Sequence, residues 1–227
     1  MLITINDVLT PEELITTRKL LDHSTWASGL ITAGTQAALV KNNQQLPEDS
    51  GQLSALRRLV LGALNRNALF FTAALPLKIL PPMFNCYTGN TNYYGQHVDG
   101  AMHRLAEGNG YVRADVAATL FLSDPDKYDG GELVIEDTFG SHSVKLKAGS
   151  IVVYPSSSVH KVMPVTRGQR IACFMFMQSM VRDPGQRRLL FDMDMALLQL
   201  RQSVGETAPV VSLTGTYHNL LRRWADN

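Results

Sequence analysis

An α+β fold is predicted, with helices at both ends of an antiparallel β core, on three observations. Short apolar runs recur from about Leu77 to Met180 with turn residues between them. Apolar positions at helical spacing lie before and after that stretch, and no internal repeat or low-complexity tract interrupts the order. Seven or eight short strands at such intervals argue for a sandwich or barrel. The 227 residues suit one generous domain with a substantial interior.

Leu2 to Ile5 reads as a short strand. Thr10-Pro11-Glu12-Glu13 reads as a helix start running to about His23, with threonine as N-cap, proline at the first helical position and a glutamate placed for a capping box. Residues 27–50, rich in Gly, Thr, Asn, Gln and Ser, suggest a long loop or a weakly ordered hairpin. Leu53, Leu56, Leu59, Val60, Ala63 and Leu64 form one apolar face of a second helix, which runs on into Asn67–Ala73. Leu77 to Tyr87 is strand-like, but Pro81-Pro82 belongs at an edge or bulge. Asn92–Val98 follows, then a loop to Tyr111 that contains Gly108 and Gly110. Further strands are expected at 115–122, 132–136, 143–146, 151–154, 160–164 and 170–180, divided by turns such as Asp129-Gly130-Gly131 and Lys147-Ala148-Gly149. After Asp183-Pro184-Gly185 the pattern is helical through Leu200, and a last helix is expected over about Tyr217–Trp224.

Composition narrows the function classes. The formal charge is +1 with both signs interspersed, which gives no electrostatic footprint for nucleic acid or an anionic membrane; Arg222-Arg223 is a pair and no more. Cys86 and Cys173, both in apolar strand-like runs, read as buried free thiols. The start of the chain has neither a charged n-region nor a long apolar stretch, and no run approaches the ~20 apolar residues of a membrane span. A soluble cytoplasmic protein is expected.

His97-Val98-Asp99 carries the first chemical signal. Side chains alternate along a strand, so residues 97 and 99 face the same way and present an imidazole and a carboxylate to one ion. His160, opening a later strand, supplies a third ligand, and two histidines with one carboxylate and open positions is the ligand set of non-heme Fe(II) oxygenases. A lone strand histidine is ordinarily a hydrogen-bonded structural residue, and His23, His103, His142 and His218 are left in that class. Arg170 is the second signal. With Arg170 inward, Ala172, Phe174 and Phe176 share its face, so the guanidinium sits among apolar neighbours and requires a partner. That partner is either an internal acid such as Asp115 or the far carboxylate of a dicarboxylic co-substrate, received through two parallel hydrogen bonds.

With these residues in place the sequence resembles the Fe(II)/2-oxoglutarate-dependent dioxygenases, specifically the PKHD-type (prolyl/lysyl-hydroxylase-like) bacterial hydroxylases associated with iron uptake. Met83-Phe84-Asn85-Cys86-Tyr87-Thr88-Gly89-Asn90, leading to Tyr94 and His97-Val98-Asp99, is similar to the family's entry to its metal strand. Residues 113–123 (Arg-Ala-Asp-Val-Ala-Ala-Thr-Leu-Phe-Leu-Ser) resemble its next core strand, and Gly130-Gly131-Glu132-Leu133 the turn after it.

The resemblance implies a double-stranded β-helix (jelly-roll) core flanked by N-terminal and C-terminal helices. It divides the chain into an N-terminal helical support region (1–77), the dioxygenase core (78–180) and a C-terminal helical extension (181–227). It implies Fe(II) held by His97, Asp99 and His160, 2-oxoglutarate on Arg170, O2 as oxidant, and L-ascorbate keeping the iron ferrous without a dedicated site. Tyr87, ten residues before His97, matches a tyrosine that often helps hold the co-substrate, with core packing as its other reading. Phe121 falls where animal prolyl hydroxylases tend to carry a second tyrosine, so one hydrogen bond is missing. The implied reaction hydroxylates an unidentified substrate and releases succinate and CO2, with activity failing in acid as His97 and His160 protonate. The substrate is either a small molecule, such as a siderophore, or a protein side chain. The polar stretches near 24–50 and 100–112 are candidates to close over it. Two other readings stay open: a zinc hydrolase using the same triad, which leaves Arg170 without a role, and a non-catalytic sensor of iron or 2-oxoglutarate. The C-terminal helices can pack on the core or across a homodimer.

Overall fold

The structure, a computed structural model, describes residues 1–105 and 110–226; Gly108, assigned above to the loop before Tyr111, lies outside the described residues. The chain begins with β1 (Ile3–Ile5) and α1 (Pro11–Asp22). Thr10 Oγ1 accepts the Glu13 N–H while a Glu13 carboxylate oxygen accepts the Thr10 N–H, closing the expected capping box. The stretch expected as loop holds short elements instead: β2 (Ala27–Ser28), α2 (Thr35–Ala38), β3 (Lys41–Asn42) and β4 (Gln44–Gln45). The second expected helix is two, α3 (Leu53–Asn65) and α4 (Ala68–Ala74). The break falls at Asn67, whose side-chain oxygen accepts the Phe70 N–H at 2.8 Å and caps the second helix.

The β core follows with β5 (Pro76–Ile79), β6 (Met83–Tyr87), β7 (Tyr93–His97), the hairpin β8 (Met102–Arg104) and β9 (Tyr111–Arg113), and β10 (Val116–Phe121). Then come β11 (Tyr128–Gly130), β12 (Leu133–Asp137), β13 (Gly140–Val144), β14 (Ile151–Pro155), β15 (His160–Val162), β16 (Val165–Gly168) and β17 (Arg170–Ser179). Among the described residues they form a major sheet in the order β1-β14-β10-β17-β6-β4-β2, with β5 also on β17, a minor sheet in the order β13-β12-β15-β7-β3, and the two-stranded pairs β8-β9 and β11-β16. Every pairing is antiparallel. This is the double-stranded β-helix. The region before residue 78 supplies strands as well as helices: β3 extends the minor sheet at β7, and three residues later β4 extends the major sheet at β6.

Burial on both faces explains why the major-sheet strands read as unbroken apolar runs. On β10, Val116, Ala118 and Leu120 pack in one cluster with Leu56, Val60 and Leu64 of α3 and Phe70 of α4. Ala117 and Phe121 point the other way, into an interior shared with Leu133, Ile135 and Val162 of the minor sheet. A fully buried leucine or valine of this kind contributes roughly 1.5–3 kcal/mol. On β17 the same alternation sends Cys173, Met175 and Met177 to the helices and leaves Arg170, Ala172, Phe174 and Phe176 facing inward. Both cysteines are buried and unpaired.

Gly130 and Gly131 turn the chain into β12 with φ of 71° and 68°, and a Cβ on Gly130 would lie 2.0 Å from the Pro164 carbonyl oxygen. Gly130→Ala is therefore expected to cost about 1–3 kcal/mol. That lowers Tm by roughly 2–10 °C in a thermal melt. An unchanged Tm would contradict this account of the turn.

Two long helices close the chain, α5 (Pro184–Val204) and α6 (Ala208–Trp224). Asp183 caps the first by accepting the Gln186 N–H, and the Thr72 hydroxyl donates to Asp194 at 2.7 Å, tying α4 to α5. The second helix starts about nine residues before its expected start because Pro209 favours a first turn there. Leu190, Leu197, Val210 and Tyr217 bury their shared face with Leu75 and Val181. Among the described residues, no helix is long and apolar enough to cross a membrane.

Candidate active site

β7 and β15 lie side by side in the minor sheet with His97 directly opposite His160. Val98 turns outward, half exposed, and Asp99, just past the strand end, returns to the inner face. Each of the three residues offers one ligand atom within 4.8 Å of the others, and Asp99 Oδ1 lies 3.7 Å from His160 Nε2. The alternation that paired residues 97 and 99 in the sequence is thus preserved across the end of the strand.

The ring orientations follow from backbone hydrogen bonds. His97 Nδ1 lies 2.8 Å from the Gly95 carbonyl and His160 Nδ1 lies 3.0 Å from the Ser158 carbonyl. A carbonyl only accepts, so both Nδ1 atoms carry the proton and both Nε2 lone pairs are free for a metal. Tyr94 stacks on His97 with ring centroids 3.6 Å apart, and Tyr154 meets His160 edge-on. Asp99 Oδ2 is buried and has no hydrogen-bond partner among the described residues.

Burial sets the protonation states. It pushes His97 down to about 3, helped by repulsion from His160, and pushes the Asp99 carboxyl up to about 6. The expected loss of activity in acid through protonation of His97 is therefore corrected: as pH falls, Asp99 takes up a proton before His97 does. A metal must displace that proton below about pH 6, so affinity is lost as pH falls through that value. Anaerobic Fe(II) titration of the metal-free protein should show affinity dropping about fivefold from pH 6 to pH 5 and approaching tenfold per pH unit below that. A flat profile there would contradict the assignment.

Arg170 opens β17 with 1% of its surface exposed, and none of its three guanidinium nitrogens has a hydrogen-bond partner among the described residues. Asp115, the internal partner left open by the sequence, is taken elsewhere: it accepts from Arg113 at 2.6 and 3.0 Å and from the Ser179 N–H at 2.9 Å. Tyr87 stands opposite Arg170 in the sheet register. The guanidinium carbon lies 5.1 Å from the Tyr87 ring centre and 5.2 Å from that of Phe121, so Phe121 contributes a ring face where a hydroxyl was missing. An unpaired buried guanidinium costs several kcal/mol unless a ligand supplies the anion.

Arg170, Tyr87 and the His97–Asp99–His160 cluster line one cavity of about 540 Å³. Its fit to the implied groups rests on orphaned polar atoms. The guanidinium at one place requires a carboxylate, and the two free Nε2 lone pairs with the unpartnered Asp99 oxygen at another suit a divalent ion. Sequence reasoning missed several wall residues. Lys41 and Asn43 stood in the polar stretch read as loop, His103 was left as structural although its ring stacks on Phe176 at 4.6 Å, and Tyr154 looked like ordinary strand core. Tyr128, outside the cavity lining, was also missed; its buried hydroxyl has no partner among the described residues, and the Arg170 charge acts on it. The run Lys41-Asn42-Asn43-Gln44-Gln45 is polar throughout, so the sequence carried no signal for the first pair.

Comparison with known proteins identifies the family and the fold. Residues 82–178 match the 2OG-Fe(II) oxygenase superfamily, and residues 184–226 match the PKHD-type hydroxylase C-terminal domain. A PKHD-type hydroxylase of Nitrosomonas eutropha is 74% identical over the whole of both chains. A prolyl hydroxylase from Trichoplax adhaerens, solved in complex with a peptide fragment of the hypoxia inducible factor oxygen degradation domain, shares the fold with TM-score 0.54 at 15% identity, covering 83% of this chain and 86% of that one. HygX from Streptomyces hygroscopicus, solved with nickel, 2-oxoglutarate and hygromycin B, shares it with TM-score 0.50 at 12% identity, covering 77% and 81%.

Proposed function

The chain belongs to the PKHD-type hydroxylases of the 2OG-Fe(II) oxygenase superfamily, and from that premise we propose that His97, Asp99 and His160 hold the iron(II) while Arg170 receives the distal carboxylate of 2-oxoglutarate. The enzyme is a 2-oxoglutarate-dependent dioxygenase. The observation that carries the residue assignment is the buried, partnerless guanidinium in the same cavity as the triad.

When bound, iron(II), 2-oxoglutarate and O2 supply the oxidation: the co-substrate is decarboxylated to succinate and CO2, and one oxygen atom enters a substrate C–H bond. The chain's own residues prepare that chemistry. The Gly95 and Ser158 carbonyls lock both imidazoles with Nε2 inward. Low His97 basicity keeps its lone pair available at neutral pH. The rings of Tyr87 and Phe121 flank the Arg170 guanidinium, which fixes the plane that a carboxylate must match. Tyr87 is assigned a supporting contact to the co-substrate. Phe174, Phe176 and Met83 keep part of the cavity dry, which favours oxidation of the substrate over side reactions with water.

On this reading residues 78–180 form the catalytic core, 1–77 its support and 181–227 an extension outside the site. Ascorbate maintains ferrous iron. A reducing, cytoplasmic setting suits the two buried thiols. The substrate is a small molecule or a protein side chain; among the structural neighbours one holds a peptide and another hygromycin B. The zinc-hydrolase reading leaves the Arg170 guanidinium without a partner and loses on that ground. The test is succinate formation by the purified enzyme, expected to require Fe(II), O2 and 2-oxoglutarate together and to stop when zinc replaces iron. Hydrolytic turnover supported by zinc alone would overturn the reading.

A further inference from the structure

Lys41 is a buried cation that the reaction as described does not use. Residues 41, 43 and 45 alternate inward and are each more than nine-tenths buried, so the segment joining the two sheets puts Lys41, Asn43 and Gln45 toward the interior. Lys41 Nζ donates to Thr32 Oγ1 at 3.0 Å and to Gln45 Oε1 at 3.4 Å; both acceptors are neutral. An ammonium has three donors, and the third is unassigned. Among the described residues Lys41 has no carboxylate partner, yet it lines the same cavity as Arg170 and the triad. Its Nζ sits 5.3 Å from the centre of the Tyr94 ring that stacks on His97. Burial lowers it to about 8, so it still carries its charge at neutral pH.

Two explanations compete. As a purely structural residue, a buried ammonium held by neutral oxygens is a poor choice, because desolvation costs more than two such hydrogen bonds return. As a binding residue, it makes sense of the charge balance. The two carboxylates of 2-oxoglutarate cancel iron(II), Asp99 and Arg170 taken together, and Lys41 remains over. We propose that Lys41 reads a negative charge on the substrate, so that the molecule oxidised bears a carboxylate or comparable anionic oxygen group near the reacting C–H bond. This rests on the proposed placement of 2-oxoglutarate at Arg170. Asn43 and Asn85 Oδ1, buried in the same wall without partners among the described residues, offer the neutral hydrogen bonds that such a group or its neighbours would use.

The test uses protein loaded with nickel(II) in place of iron and saturated with 2-oxoglutarate, titrated calorimetrically with benzoate and benzamide and with acetate and acetamide. The wild type is expected to bind each carboxylate about tenfold or more tightly than its amide. Lys41→Met should erase that preference and Lys41→Arg should retain it. Affinity of Lys41→Met for 2-oxoglutarate should stay within about threefold of wild type, and its Tm should be equal or higher, which a structural role would not allow. Equal binding of acid and amide by the wild type, or no binding of either, would overturn the proposal. So would a loss of 2-oxoglutarate affinity in Lys41→Met as large as that in Arg170→Met, which would move Lys41 into the co-substrate site. A wild type that binds no 2-oxoglutarate would overturn both this inference and the reading beneath it.

Discussion

Asp99→Ala protein is expected to bind Fe(II) on the order of 10²- to 10³-fold more weakly than wild type and to form no measurable succinate at micromolar iron. The carboxylate is the site's sole anionic ligand among the described residues. Removing one member of a buried charge pair costs roughly 3–5 kcal/mol, and about 1.4 kcal/mol corresponds to a decade in affinity. Stability should move the other way. In the metal-free protein Asp99 Oδ2 is buried without a partner and burial resists its ionisation, so the variant should melt no lower than wild type. Loss of iron binding with an unchanged or raised Tm separates a ligand from a structural residue. Turnover retained with normal iron loading would remove Asp99 from the metal site.

Arg170→Met should weaken 2-oxoglutarate binding by roughly 2–5 kcal/mol, or about 30-fold to more than 10³-fold, because a buried, bidentate charge pair is lost. Fe(II) affinity should change little, since the guanidinium is a separate feature of the cavity. The free protein should again be at least as stable as wild type: methionine fills much of the volume and removes an unpaired charge flanked by the rings of Tyr87 and Phe121. Equilibrium titration of the metal-loaded variant, with a thermal melt of the metal-free form, measures both effects. Wild-type 2-oxoglutarate affinity in Arg170→Met would show that the co-substrate is held elsewhere.

Much of this site was legible because strand geometry leaves a simple trace. His97 and Asp99 two apart, and Arg170 leading a run with Phe174 and Phe176 at even spacing, read directly as side chains on a common face. The helices were legible through caps, and where the reading joined α3 to α4 the Asn67 cap was the overlooked signal. Residues 27–50 were obscured for a physical reason. Strands of two residues carry too little periodicity to stand out from a polar loop, and their pairing depends on β6 and β7, which are distant in sequence. Lys41 was lost with them, since a lysine in a polar stretch reads as solvated until the fold buries it. Tyr128 and Tyr154 were hidden for the opposite reason: an aromatic in an apolar strand looks like packing, and only the tertiary structure shows what its ring or hydroxyl faces. The titration of His97 was misjudged because sequence carries no measure of desolvation, which holds His97 low and raises Asp99.

The central claim is that one cavity holds a metal on His97, Asp99 and His160 and a dicarboxylate on Arg170. Its most direct measurement is a crystal structure of the protein grown anaerobically with Fe(II) and 2-oxoglutarate. The account predicts a single iron bonded to both Nε2 atoms and to Asp99, with the distal carboxylate of 2-oxoglutarate paired with the Arg170 guanidinium. Iron bound at other residues, or a co-substrate carboxylate seated away from Arg170, would contradict it.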